Sequence, residues 1–422
     1  MKLQKIVNRL QELHPKEIDL SLDRVINLCK KLNNPQDKIK AISVVGTNGK
    51  YSTIQAMYAI LKEAGVKCNI YTSPHIRKIN ERFAFNNQEL SDEELSELLE
   101  EVENVNDNQP ITFFEILTAA YFYKASKYPD NINLIETGLF HRFDATNILK
   151  KNLASIITSI GLDHLDWLPE NEQTIEKIIY EKTYTLLNSN IIVAKQSSNK
   201  ISDKIKQTIS KNQSLKKFFN EEYNYSLSEN DFFYYKDEIG EMKLPAPNIN
   251  GQFQLENIST AIATLRSIEQ LKIKVEHIKS GITKIHSIAR LQEINEGKLK
   301  DLVKNNRLLI DGSHNPLGAK VLNEYLESLD CNKHIILGMM ANKDHQEYIG
   351  YFKNISSLTT IDIPNQPSSI KGSELKKKLN RNQDVKYKES ITEAIKSIKV
   401  KENDLILITG SLYLAGEVLN LN

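Results

Sequence analysis

The sequence predicts an α/β protein of two domains, a larger N-terminal one on a doubly wound, mainly parallel sheet and a smaller Rossmann-like C-terminal one. Three observations carry that expectation. Short β-branched runs alternate with longer helical patterns between residues 41 and 194. A glycine-bearing loop stands between the first of those runs and the helix pattern that follows it. A second alternating series begins near residue 308 and continues almost to the C-terminus.

The first strand is expected at residues 41–45, with a helix over 52–64 after the glycine loop. Further strands fall at 68–71, 133–135, 154–158 and 191–194, apolar runs too short for helices. Ser91 followed by Glu94 reads as a capping box opening a helix to about residue 105, because the Glu94 carboxylate can reach back to the cap N–H. Another helix is expected over 113–127. Residues 197–250 are rich in Lys, Asn, Ser and aromatics without a clean period, which points to irregular strands and loops. In the second series the strands fall at 308–310, 334–337, 358–361 and 405–408, with helices between. Since 422 residues exceed one ordinary hydrophobic core, the domains are set at 1–287 and 288–422.

Composition removes several classes of function. Fifty-five Lys and Arg against 54 Asp and Glu leave a formal charge of +1, no electrostatic footprint for nucleic acid or an anionic membrane. Cys29, Cys68 and Cys331 are far apart and form no CxxC pair, so neither a disulfide framework nor a zinc knuckle is suggested. The first 13 residues lack a continuous apolar signal core, and no apolar stretch approaches a membrane span of about 20 residues. The expectation is a cytoplasmic monomer acting on small molecules, with no nucleic-acid or membrane partner.

The most informative string is Gly46-Thr47-Asn48-Gly49-Lys50-Tyr51-Ser52-Thr53, between a strand and a helix. Such a P-loop-like turn aims backbone N–H groups and the positive end of a helix dipole at an anion. Lys50 can neutralise phosphate oxygens, and Ser52 or Thr53 can ligate the magnesium that accompanies a nucleotide. It departs from the standard motif at Val44, where the first glycine would stand, and at Tyr51, which separates the lysine from the hydroxyl residue. Glu136 and His164 each follow a predicted strand, so in a doubly wound sheet both emerge at the carboxyl edge where ligands collect. A lone residue of this kind is often only a hydrogen-bonding strand end; the set is what points to a metal-nucleotide site.

Further strings follow in order: Tyr71-Thr72-Ser73-Pro74-His75, Thr112-Phe113-Phe114-Glu115, Glu136-Thr137-Gly138-Leu139, Arg142-Phe143-Asp144-Ala145-Thr146-Asn147 and Ser159-Ile160-Gly161-Leu162-Asp163-His164. Beyond them come Ala289-Arg290-Leu291-Gln292, Asp311-Gly312-Ser313-His314-Asn315-Pro316 and Thr409-Gly410-Ser411. With these in place the chain resembles the folylpolyglutamate synthase and dihydrofolate synthase family, within the Mur-type ligases, from about residue 13 to residue 419. The resemblance implies an ATP-dependent ligase that adds L-glutamate to dihydropteroate, to (poly)glutamylated tetrahydrofolate, or to both, through an acyl phosphate. It implies ATP as co-substrate and Mg2+ as cofactor. Thr47, Asn48, Gly49, Lys50, Ser52, Asn257, Arg290 and Asp311 would bind ATP. Ser52, Ser73, Glu136, His164 and a carbamylated Lys182 would hold magnesium. Lys50, Lys182, Arg290 and His314 would serve the reaction, and Ile18, Asp19, Leu20, Thr112, Phe114, Glu115, Arg142 and Asp144 would meet the folate-type acceptor.

Three places depart from the family pattern. Tyr51 replaces a glycine, Phe140-His141 replace a glycine pair, and Thr183-Tyr184 replace Ala-Gly after the magnesium lysine. The expectation is an active enzyme whose loops have adjusted to this bulk. The alternatives are a Mur-type ligase for another carboxylate and amino acid, and an ATP-binding relative with impaired catalysis.

Overall fold

The computed structural model describes residues 2–16, 19–186, 189–228, 232–379 and 385–422. The chain divides into two compact units. The first comprises Met1–His164, Leu168–Asn248 and Leu255–Ile285, the second Leu165–Trp167, Ile249–Gln254 and His286–Asn422.

In the first unit, α1 (Lys2–Gln11) and α2 (Asp23–Lys31) precede β1 (Lys40–Val45), α3 (Lys50–Glu63) and β2 (Cys68–Tyr71). A hairpin of β3 (Phe83–Phe85) and β4 (Gln88–Glu89) leads to α4 (Asp92–Asn106), α5 (Phe113–Ala125) and β5 (Ile132–Glu136). Then come β6 (Ala154–Ile157), α6 (Ile175–Thr183), β7 (Asn190–Val193), α7 (Asn199–Thr208) and β8 (Lys216–Phe218). Among the described residues these strands form one sheet in the order β4-β3-β2-β5-β1-β6-β7-β8, parallel except for the β3–β4 edge. Every residue of β5 is buried, as is β1 beyond Lys40, which is why these strands are mostly apolar. β1 lies between β5 and β6, with Val44 opposite Glu136 and Val45 opposite Ile157. The carboxyl ends of three strands therefore stand side by side where the strand order reverses, the usual ligand position in such sheets.

Helices start where the caps place them. Ser91 Oγ accepts from Glu94 N at 3.2 Å and Glu94 returns a carboxylate to Ser91 N at 2.9 Å, opening α4. Thr112 and Glu115 form the same reciprocal cap on α5. α1, α2, α4 and α5 bury Leu10, Val25, Leu99 and Tyr121 in one shared core.

Residues 197–250 are more regular than expected. Ser198 caps α7, an amphipathic helix whose narrow apolar stripe of Ile201 and Ile205 is continued by Ile209 at its end. β8 extends the main sheet, and β9 (Tyr223–Leu227), β10 (Phe232–Asp237) and β11 (Gly240–Pro245) make an antiparallel meander. The unit closes with α8 (Phe253–Arg266), of which Leu255 onward belongs here, and α9 (Val275–Ile282).

The second unit carries β12 (Gln292–Glu293), α10 (Lys298–Val303), β13 (Arg307–Ile310), α11 (Pro316–Glu327) and β14 (Lys333–Leu337). It continues with α12 (His345–Gly350), β15 (Ser357–Ile361), α13 (Gly372–Leu379), β16 (Val385–Lys388), α14 (Ile391–Ser397), β17 (Leu405–Thr409) and α15 (Leu412–Leu421). Its sheet order is β12-β13-β17-β14-β15-β16, parallel but for β12. Among the described residues no helix is long and apolar enough to cross a membrane.

Candidate active site

The loop after β1 is built around two glycines. Gly46 has φ +153°, and a Cβ there would lie 1.9 Å from Thr158 Oγ1 on the neighbouring strand end. Gly49 is the N-cap of α3 at φ +90°, and its Cβ would stand 2.5 Å from Asn257 Oδ1. No larger residue fits either place, and the second contact puts Asn257 of α8 against the loop. Thr53 N makes the first intrahelical bond, to Gly49 O at 2.9 Å, so residues 50–52 form the opening turn at the positive end of the dipole. Tyr51 sits in that turn with ordinary helical backbone, so its replacement of glycine costs no strain. The amides of Thr47 and Asn48 both donate to Ser159 O, at 2.9 and 3.1 Å. Thr47 Oγ1 is also tied to Gly161. These two residues shape the loop that leads into the α3 terminus.

Around this loop the first unit gathers a cluster of charged groups. Lys50 Nζ donates to Gly46 O at 3.2 Å and Thr47 O at 3.3 Å, and stands 3.9 Å from Glu136 Oε1. Glu136 Oε2 accepts from Ser73 N at 3.2 Å, joining the ends of β5 and β2. Ser52 is buried in the first turn of α3. Lys182, only 1% exposed, donates to Gly46 O at 3.1 Å and Leu139 O at 2.8 Å. Burial, with help from the Lys50 charge, pushes the Lys182 ammonium down to about 7 against the opposing pull of Asp163 and Asp144. His164 adopts a left-handed backbone at φ +57° and takes its own N–H to Asp163 Oδ1 at 2.9 Å. Asp163 was not singled out from the sequence, although it sits inside the Ser159–His164 string; its buried carboxylate orients the His164 turn.

Among the described residues no cluster of three or more His, Cys, Asp or Glu could by itself hold a metal. The oxygens of one carboxylate and two serine hydroxyls still suit Mg2+, which keeps several waters and relies on one or two carboxylates plus substrate phosphates, whereas the His164 imidazole is not a usual ligand of that ion. The donor set therefore fits that ion, and not a dedicated all-protein cage.

Of the residues expected to meet the acceptor, Ile18 lies outside the described residues. Asp19, Thr112 and Glu115 are linked through Arg24, described below. Leu20 is half-buried. Phe114 stacks on Tyr71 with centroids 6.0 Å apart and reaches Gly138, whereas Phe113 lines a cavity of about 390 Å³ with Val7, His75 and Arg77. Asp144 is buried, and both carboxylate oxygens organise its own loop. Oδ2 accepts from Gly138 N at 2.9 Å and Leu139 N at 3.2 Å, and Oδ1 from Thr146 N at 3.0 Å and Thr146 Oγ1 at 2.6 Å. Burial raises its pKa and those bonds pull it back. Arg142 makes a bidentate pair with Glu181 at 2.7 and 2.8 Å and lies over the Phe143 ring at 4.2 Å.

The bulky departures are largely interior. Phe140 is 1% and His141 3% exposed, and Thr183 is buried; of the four only Tyr184 is exposed, stacked on Tyr180. The Phe140 ring centroid is 5.7 Å from Lys182 Nζ. His141 Nδ1 is 3.0 Å from Thr185 Oγ1, and burial first, then the Lys182 charge, pushes its pKa down to about 4.

The second unit brings Arg290, Asp311 and His314 together. Ala289 and Leu291, on either side of Arg290, are left-handed at φ +53° and +46°. That turn lets Leu291 N donate to Asp311 Oδ2 at 2.8 Å, while Ser313 N donates to Oδ1 at 2.8 Å. Burial raises the Asp311 pKa, and the Arg290 charge chiefly opposes it. His314 Nδ1 is 3.0 Å from Gly312 O, which can only accept, so Nδ1 carries a proton.

Residues 290–412 match the family described as "Mur ligase, glutamate ligase domain". The dihydrofolate synthase/folylpolyglutamate synthase of Bacillus subtilis is 30% identical over 425 residues, covering 94% of each chain. Its Escherichia coli counterpart is 29% identical over 351 residues, 82% of this chain and 78% of that one. The solved structure of E. coli FolC in complex with DHPP and ADP superimposes with a TM-score of 0.85 at 27% identity, covering 99% of this chain and 97% of that chain. A strand-end lysine–carboxylate cluster at the switch point of a parallel sheet, in a chain similar to these enzymes over nearly its whole length, leads to one conclusion: the chain belongs to the dihydrofolate synthase/folylpolyglutamate synthase family of Mur-type ligases.

Proposed function

We propose that the protein joins the amino group of L-glutamate to the carboxylate of dihydropteroate, of (poly)glutamylated tetrahydrofolate, or of both, with ATP as the phosphoryl donor. The observation that carries this reading is the cluster of Lys50, Glu136, Ser73 and Lys182 on the glycine loop. The acceptor carboxylate attacks the γ-phosphorus, ADP leaves, and an acyl phosphate forms. The glutamate amine then attacks the acyl carbon, and inorganic phosphate departs with one oxygen from the original carboxylate.

Each residue has a part in this scheme. The α3 terminus and Lys50 offset charge on the nucleotide phosphates. Asn257, held against Gly49, recognises the adenosine. Ser52, Ser73, Glu136, His164 and Lys182 would hold Mg2+, which when bound neutralises phosphate charge and orients the transferred group. Lys182 serves there as a carbamate. Its burial favours the neutral amine, the form that adds carbon dioxide, and addition turns it into an anionic oxygen donor. In the second unit Arg290 offsets phosphoryl charge, while Asp311 and His314 contact ATP. Asp19, Thr112, Phe114 and Arg142 face the acceptor, and Asp144 acts by shaping the 138–147 loop that does so. The protein works as a cytoplasmic monomer, which light scattering on the purified chain checks.

The test is one reaction set: purified protein, ATP, Mg2+ and glutamate, offered dihydropteroate or tetrahydrofolate in parallel, with products weighed by mass spectrometry. A product heavier by one or more glutamyl units is expected with at least one acceptor. ATP turnover without a glutamylated product from either would refute the assignment.

A further inference from the structure

We propose that Arg24 is a positioning residue of the acceptor site, fixing the spacing between the turn at Asp19 and the N-terminus of α5. The inference rests on the reading above that Asp19 and Thr112 meet the folate-type acceptor. Arg24 is the second residue of α2, and its guanidinium divides itself between two walls. Toward the turn, Nη1 donates to Asp19 Oδ2 at 2.8 Å and Nη2 to the Asp19 main-chain carbonyl at 2.8 Å. Toward α5, Nε donates to Glu115 Oε2 at 2.9 Å. That same oxygen accepts from Thr112 N at 2.8 Å, so Thr112, Glu115, Arg24 and Asp19 form one unbroken chain of bonds.

Two details separate this arrangement from an ordinary ion pair. The fork grips the backbone of Asp19 as well as its carboxylate, so it fixes where the main chain runs. Asp19 already has a second cation, Lys16 Nζ at 3.2 Å, and needs no further charge for neutralisation. On the other wall Glu115 is buried, and its Oε1 has no hydrogen-bond partner among the described residues. Glu115 thus gives its one bonded oxygen jointly to the helix cap and to Arg24. A lysine at position 24 would keep the charge but present one ammonium point in place of three directed N–H groups, so it cannot hold both walls in register.

A misplacement of about 1 Å in a positioning group can cost up to about a hundredfold. For Arg24→Lys we expect the acceptor KM to rise about tenfold while the ATP KM stays within about twofold, because the glycine loop and α3 are untouched. Asp19→Asn weakens the carboxylate arm on the turn side and leaves the main-chain arm and the α5 cap intact; it should raise the acceptor KM, by less than Arg24→Lys does. The double variant should be no worse than the worse single one, since both break the same link. Thermal unfolding run alongside shows that each variant is folded at the assay temperature. Thr112→Ala serves as the reference for the acceptor wall itself. If Thr112→Ala raises the acceptor KM while both Arg24→Lys and Asp19→Asn leave it within about twofold, the positioning role is overturned and the site stands. Equal rises in ATP and acceptor KM for Arg24→Lys also overturn it, because that pattern marks a general structural loss. If Thr112→Ala has no effect either, the acceptor-wall reading fails with it.

Discussion

Phe140→Ala should be among the most damaging single changes in the first unit, although the position lies in a loop. Its ring is 1% exposed, and the two residues after it are pinned to the end of α6, with His141 N and Arg142 N both donating to Glu181 O at 3.1 and 3.0 Å. A loop anchored in this way cannot collapse into the space left by a lost ring, so the full cavity cost of about 3–5 kcal/mol for a buried Phe→Ala applies. In a unit of this size each kcal/mol moves the melting midpoint by about 2–4 °C, so the loss should appear as roughly 6–20 °C. Phe140→Leu keeps most of the volume and should cost less than about 1.5 kcal/mol. Thermal unfolding and urea titration of the three proteins side by side give the comparison. A Phe140→Ala protein within about 1 kcal/mol of wild type would refute the packing described for this loop.

Other outcomes follow from the same neighbourhood. His141 is held neutral with a pKa of about 4, against about 6.5 in an unfolded chain. As pH falls the unfolded state is protonated first, so this contribution is complete above about pH 6.5 and is lost between there and pH 4, up to about 3 kcal/mol. His141→Gln should flatten that stretch of the urea-stability profile; an unchanged slope would contradict the buried neutral ring. Lys50→Ala should lower ligation by at least about a hundredfold while a cooperative melt is retained. Near-normal product from that folded variant would remove the phosphate-loop assignment. Lys182→Ala should lose activity and recover part of it with added short carboxylates, which supply the missing oxygen donor, and intact-mass measurement on the wild type should find the carbamate. An active, magnesium-loaded enzyme with an unmodified lysine would count against it.

The longer strands of both sheets were legible because strands buried on both faces are rich in apolar residues, as Leu134 and Ile135 of β5 show, whereas the short β3, β4, β8 and β12 were not. The capping box at Ser91 was legible because it is local chemistry, whereas the one at Thr112 was not read from the sequence. α7 was not read from the sequence, although Ile201, Ile205 and Ile209 recur every four residues as a narrow apolar stripe. β16 was missed because only Val385 of its four residues is buried. Within the site, Lys50 and Glu136 could be paired from the sequence because strand ends predict proximity. The double duty of Glu115, the loop-organising bonds of Asp144 and the linking role of Arg24 could not, because each depends on which way a side chain turns once distant segments have packed. Tyr51 and Phe140 illustrate the same limit. Their size was visible, but only the backbone angle of the first and the burial of the second show how the bulk is accommodated.

The claim at the centre of this account is that the acceptor carboxylate itself attacks the γ-phosphate of ATP. It is tested most directly by labelling that carboxylate with ¹⁸O and recovering the inorganic phosphate after ligation with ATP, Mg2+ and glutamate. Attack by the carboxylate and later departure of phosphate from the acyl carbon predict one ¹⁸O atom in each phosphate released, together with ADP. Unlabelled phosphate accompanying a glutamylated product, or label appearing in AMP, would contradict it.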